Sequence, residues 1–148
     1  MRATHVLRSV TRGILAAAPP SLDHVCLVVK DVPKSIKFYE HVLGATHLYK
    51  DDPNFGEDPA FLKVGSAQIA LLPLAATHKP IEDHNGAHFA LSCSSTTDFE
   101  RIKASLGGDL KEIGANDEVD FQDYGRQLSL FFSDLDGNIV EITHWKRK

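Results

Sequence analysis

The chain has 148 residues, of which 43% are hydrophobic and 24% charged, enough for one sizeable core and short for two independent ones. Its formal charge is −4, and since Arg2, Arg8 and Arg12 stand in an acid-free leader, the body is more acidic still. That balance argues against nucleic acid as a partner, because phosphate contacts need a basic face.

Residues 1–20, "MRATHVLRSVTRGILAAAPP", are arginine-spaced and rich in Ser, Thr and Ala. Such a segment suits an organelle transit peptide, mitochondrial in type, that stays disordered outside the fold. Without that address the chain stays in the cytoplasm. Cys26 and Cys93 offer neither a disulfide framework nor metal-finger spacing, which fits a reducing compartment. No apolar run approaches a membrane span, so no membrane partner is expected.

The stretch 22–29, "LDHVCLVV", alternates His24, Cys26 and Val28 against Val25, Leu27 and Val29, the pattern of a strand. Asp31 and Pro33 open a helix with Ile36, Tyr39 and Leu43 at helical spacing, and Gly44 closes it. "ATHLYKDD", "AFLKVG" and "AQIALLPL" read as three further strands. "AHFALSCS" then begins a second round, with His88, Ala90 and Ser92 on one side. Thr97 with Glu100 has the form of a capping box, Phe99, Ile102 and Leu106 face the core, and Gly107-Gly108 should end this helix. A short strand near "LKEIG", a long acidic loop "GANDEVDFQDYG" that is mobile or covers a site, and strands at "RQLSLFF" and "IVEITHW" complete the chain.

The halves repeat at an offset of 63 to 64 residues: His24 maps to His88, Ile36 to Phe99, Leu43 to Leu106 and Gly44 to Gly107. The fold class is therefore α+β, two paired βαβββ modules at about residues 21–75 and 85–146 of a single domain, 21–146. His24 and His88 occupy matching strands, and Glu141 sits mid-strand in the last, where a carboxylate is costly to bury unless paired or bound to a cation. Two imidazoles and one carboxylate facing one cleft make an N2O metal set with open positions, compatible with Fe, Mn, Zn or Ni.

"LDHVCLVVKDVPKSIKFYEHVLG", "GAHFAL" and "LFFSDLDGNIVEI" together resemble the vicinal oxygen chelate (VOC) superfamily of glyoxalases, bleomycin-resistance proteins and ring-cleaving dioxygenases. The resemblance implies an open, U-shaped, mostly antiparallel sheet cleft with ligands at His24, His88 and Glu141. Glyoxalase-like and epimerase-like members carry a fourth ligand or base where this chain has Ala70, with Gln68 two residues earlier on that face. That leaves a three-ligand site, as in the fosfomycin-modifying thiol transferases and the extradiol dioxygenases. Phe131 stands where the former use a tyrosine.

The expected function is a metal-dependent enzyme that chelates vicinal oxygens of a small substrate, with glutathione or another thiol as an eligible co-substrate. The rival is a metal-free module that sequesters a flat or cationic molecule, as bleomycin-resistance members do. Strand parity adds Ser129, Phe131, Gln68 and Cys26 to the pocket, Cys26 as a packing residue in preference to a nucleophile. Arg126, beside Tyr124-Gly125, is either a receiver for an anionic substrate or a solvated loop residue. Tyr124, His84 and His144 are candidates for acid–base support, and no catalytic residue is assigned. His5, His41, His47 and His78 are expected at the surface. A homodimer is expected, since a wide sheet leaves much apolar surface to cover.

Overall fold

Alternating apolar residues on most strands place one side of each sheet under a helix, and that requirement sets the architecture. The computed structural model describes residues 21–52, 58–77, 79 and 86–146. The transit-peptide reading of residues 1–20, and His78 and His84, lie outside the described residues.

The first module runs β1 (Val25–Val29), α1 (Val32–Leu43), β2 (Thr46–Leu48), β3 (Ala60–Val64) and β4 (Ala67–Pro73). The second runs β5 (His88–Ser92), α2 (Thr96–Glu112), β6 (Asp120–Asp123), β7 (Gln127–Ser133) and β8 (Ile139–Trp145). Each module forms a four-stranded sheet, ordered β1-β4-β3-β2 and β5-β8-β7-β6. In each, the first strand runs parallel to the last while the remaining pairs are antiparallel, so the βαβββ repeat and the mostly antiparallel sheets are present.

Asp31 caps α1 through its carboxylate, which accepts from the Lys34 amide and lies below the usual carboxylate range because of those bonds. Gly44 ends it in the left-handed conformation. The side of the sheets facing the helices carries Val29, Leu62, Ile69 and Leu71 in the first module and Leu128, Leu130, Val140 and Ile142 in the second, all in one core. The modules are fastened where α1 meets the β7–β8 turn. There the Tyr39 hydroxyl donates to Asp134 at 2.8 Å, and the same carboxylate accepts from the Asp136 and Asn138 amides and the Asn138 side chain.

Three expectations in the second module are corrected. The cap of α2 is Ser95, not Thr97: Ser95 accepts from the Asp98 amide and donates to its carboxylate, two residues ahead of the predicted box. The helix passes through Gly107-Gly108, which keep ordinary helical backbone, because Leu106 and Leu110 bury the same face. It ends near Gly114, whose φ of +70° makes the left-handed stop, so "LKEIG" is the last helical turn and its edge, not a strand. The missing strand lies inside the acidic loop as β6. Phe121 anchors it against Phe99 of α2, and the Lys103 ammonium sits 3.3 Å over the Phe121 ring. His47 also differs from expectation: it is half-buried, and its Nε2 has no partner among the described residues.

Candidate functional site

The registers give each sheet an open face as well as a helix-packed one. On β8 the open face takes the odd positions: Ile139, Glu141, Thr143 and Trp145. Directly opposite Glu141 lie Ala90 on β5 and Phe131 on β7. The first sheet repeats this frame with Ala70 opposite Cys26 on β1 and Phe61 on β3. Ala70 is thus the counterpart of Glu141. His24 and His88 complete the correspondence, each meeting its module's phenylalanine edge-on at 5.5 Å between centroids.

In the second sheet His88 and Glu141 come together, His88 Nε2 lying 3.2 Å from Glu141 Oε2. The chemistry of that contact depends on what holds each group. His88 Nδ1 is 2.7 Å from the Gly86 carbonyl, which can only accept, so Nδ1 carries the proton. In a neutral ring, Nε2 then presents a lone pair. Glu141 is buried, with Oε1 taking bonds from Ser129 Oγ at 2.5 Å and Gln127 Nε2 at 3.3 Å. Its Oε2 remains turned to His88. Two acceptors face each other, a contact that needs a proton or a cation between them.

The residues fit a cation. Ligands on bonds of about 2.0–2.2 Å stand about 3.0 Å apart at a right angle and about 3.4 Å apart at the tetrahedral angle, which brackets the observed separation. The carbonyl behind His88 and the donors behind Glu141 are the kind of support that orients metal ligands.

His24 does not join this pair. Among the described residues no group of three His, Cys, Asp or Glu side chains is placed to hold one ion, so the expected triad does not converge within one chain. The reason is topological: His24 immediately precedes β1, at the edge of the other sheet. It is nevertheless prepared in the same way as His88, with Nδ1 donating to the Asp23 carboxylate at 2.7 Å.

The remaining predicted site residues divide. Ser129 and Phe131 touch the Glu141–His88 pair. Cys26 lines an apolar cavity of about 670 Å³ that reaches His88, between the edges of β1 and β5. Desolvation pushes its thiol up from the ordinary value, which favours the protonated form and the packing role. Gln68 stays on β4 of the first sheet, opposite Lys63. Tyr124 and Arg126 are exposed at the β6–β7 turn. His144 lies on the helix side of β8, held by Thr96 Oγ1 at 3.1 Å and the Cys93 carbonyl at 3.2 Å, and so supports structure, not the site.

Gln127 was not predicted. Its amide bridges Glu141 and Thr143, and its place two residues before Ser129 was the available signal. Asp23, adjacent to His24, is the second omission.

Among proteins of known identity, the chain is 28% identical over 121 residues to the metallothiol transferase FosB of Staphylococcus epidermidis, covering 82% of this chain and 81% of that one. Among solved structures, the fosfomycin resistance protein FosX of Listeria monocytogenes superposes with a TM-score of 0.61 at 20% identity, over 85% of this chain and 91% of that one. A glutamate-to-glutamine mutant of that FosX, complexed with Mn(II) and 1S,2S-dihydroxypropylphosphonic acid, gives a TM-score of 0.60 at 19% identity, over 85% and 92%. These structural likenesses concern the fold. The family model for the Glyoxalase/Bleomycin resistance protein/Dioxygenase superfamily matches residues 21–142, and the chain belongs to that superfamily.

Proposed function

We propose that this protein is a metal-dependent enzyme, active as a homodimer, that binds a small substrate through two vicinal oxygens. The observation that carries the reading is the 3.2 Å contact of His88 Nε2 with Glu141 Oε2, each oriented from behind, a pair that a bridging cation would satisfy. His24 supplies the third ligand from the second copy; its matching preparation on Asp23 and its place on a sheet edge support that role. A divalent cation there supplies Lewis acidity toward the substrate oxygens. Fe, Mn, Zn and Ni all suit an N2O set, and the Mn(II) of the FosX complex favours manganese.

Within the site, Ser129 and Gln127 fix one carboxylate oxygen so that the other faces the ion. Phe131 limits the tilt of the His88 ring. Ala70 can neither bind a metal nor accept a proton, which favours addition over isomerisation. The metallothiol transferase relatives support a thiol, glutathione or a similar one, as the nucleophile. With a three-membered cyclic ether as the electrophile, the sulfur–carbon bond forms, the ring carbon–oxygen bond breaks, and the thiol proton ends on the released oxygen. The arginine-spaced leader supports a mitochondrial address.

The test is the metal content of purified protein beside His24→Ala, His88→Ala and Glu141→Ala. One equivalent of transition metal in the wild type, lost in all three, supports the reading. A wild type that neither holds nor takes up metal overturns it and leaves metal-free ligand binding as the alternative.

A further inference from the structure

The open face of the second sheet is ordered in cross-strand rows. The row of Glu141 contains Asp120, Phe131 and Ala90; the next contains Gln122, Ser129, Thr143 and Ser92. One step further, Tyr124, Gln127 and Trp145 form a row, since Gln127 is the partner of Trp145 and its carbonyl accepts from the Tyr124 amide. Two features set this last row apart. Both flanking residues are large aromatics left open, Tyr124 at 61% and Trp145 at 58% exposure. Between them lies Gln127, whose amide is anchored to Thr143 at 2.7 Å.

The dimensions suit a flat guest. Tyr124 and Trp145 are two strands apart, about 9.5 Å at the backbone. A planar group stacked on both needs about 3.5–4.0 Å to each face. Along the strand, Trp145 is four residues from Glu141, about 13 Å. The charges restrict the guest further. These rows contain Glu141 and Asp120 and no lysine or arginine, with amides and hydroxyls in between. A dianionic group would find no lysine or arginine within these rows, whereas a neutral linker would find hydrogen-bonding partners.

We propose that Tyr124, Gln127 and Trp145 form a recognition subsite for an uncharged planar aromatic group. That group lies at the far end of a substrate whose vicinal oxygens bind beside His88 and Glu141. Tyr124 and Trp145 are specificity residues that take no part in bond making. The inference rests on the metal-site reading above, and its test separates the two.

Trp145 is the chain's single tryptophan, so its fluorescence reports on this subsite alone. Mn(II)-loaded protein is titrated with two hydroxamic acids, which share one pair of vicinal oxygens. One is acetohydroxamic acid; the other carries an anilide ring on a methylene linker about 13 Å long, matched to the strand distance. The ring-bearing probe should bind about tenfold more tightly and quench the tryptophan emission, with stacking at each ring accounting for a few-fold. Tyr124→Ala and Trp145→Ala should each remove most of that advantage while leaving metal content and acetohydroxamate affinity unchanged. Trp145→Phe should retain most of it, showing that a ring is what the position supplies. Equal affinity for both probes, or an emission that does not respond at saturation because a second copy covers Trp145, overturns the subsite. If neither probe binds, or binding ignores removal of the metal, the metal-site reading itself fails.

Discussion

The Tyr39 hydroxyl and the Asp134 carboxylate, 95 positions apart in sequence, meet at 2.8 Å in a buried contact between α1 and the turn that leads into β8. Burial and the facing carboxylates of Asp134 and Asp136 push the phenol well above the ordinary tyrosine range. The contact therefore requires a protonated Tyr39, and the strand bearing Glu141 begins a few residues after its acceptor.

Tyr39→Phe should lower stability by about 1–3 kcal/mol, because Asp134 keeps its burial and loses a donor. The pH dependence has a definite sign. The folded pKa is raised, so the contribution is complete below the unfolded value of about 10 and falls as pH rises past it. Urea midpoints measured from neutral pH to pH 11 should fall more steeply for the wild type than for Tyr39→Phe.

Ser129→Ala and Gln127→Leu leave His88 and Glu141 in place and remove the donors that hold Glu141 Oε1. Each should weaken metal binding about 10–100-fold while the protein stays folded. Competition against a chelator, read beside far-ultraviolet circular dichroism, checks this. Unchanged metal affinity would mean that the Ser129 and Gln127 bonds do not orient the carboxylate.

A shared centre predicts complementation. In a mixed dimer of His24→Ala and Glu141→Ala chains, one centre has all three ligands and the other lacks two. Co-refolding the two inactive variants should restore metal binding and turnover that neither shows alone. If the mixture remains as empty as its components, His24 does not act across the dimer.

The end of α2 offers a test of the fold. Gly114, at φ +70°, should resist substitution, with Gly114→Ala costing about 1–2 kcal/mol. Gly108 is exposed, helical and has open space where a Cβ would go, so Gly108→Ala should stabilise by about 0.5–1 kcal/mol. Thermal unfolding midpoints should move in opposite directions.

Strand period exposes most of this architecture in the sequence. Glu141 among Val140 and Ile142 stands out, and parity alone groups Ser129 with Phe131 on its face. Period fails where the element is short and polar: β6 is "DFQD", and Phe121 is its one apolar residue. Punctuation misleads at Gly107-Gly108, where the burial of Leu106 and Leu110 outweighs the low helix propensity of glycine. Parity also assigns a residue to a face of its own sheet and says nothing of how two sheets meet. That is why His24, His88 and Glu141 read as one ligand set and yet, among the described residues, form no three-ligand group within a single chain.

Ala70 occupies the place in the first half that Glu141 holds in the second, so the duplicated frame is chemically unequal. Under the proposed assembly, no chain owns a complete centre: each lends a histidine and keeps a histidine–glutamate pair. Metal retention then depends on how much protein is present. Dilution below the dimer dissociation constant would release the cation from unaltered protein, and scarcity of the metal would in turn loosen the dimer.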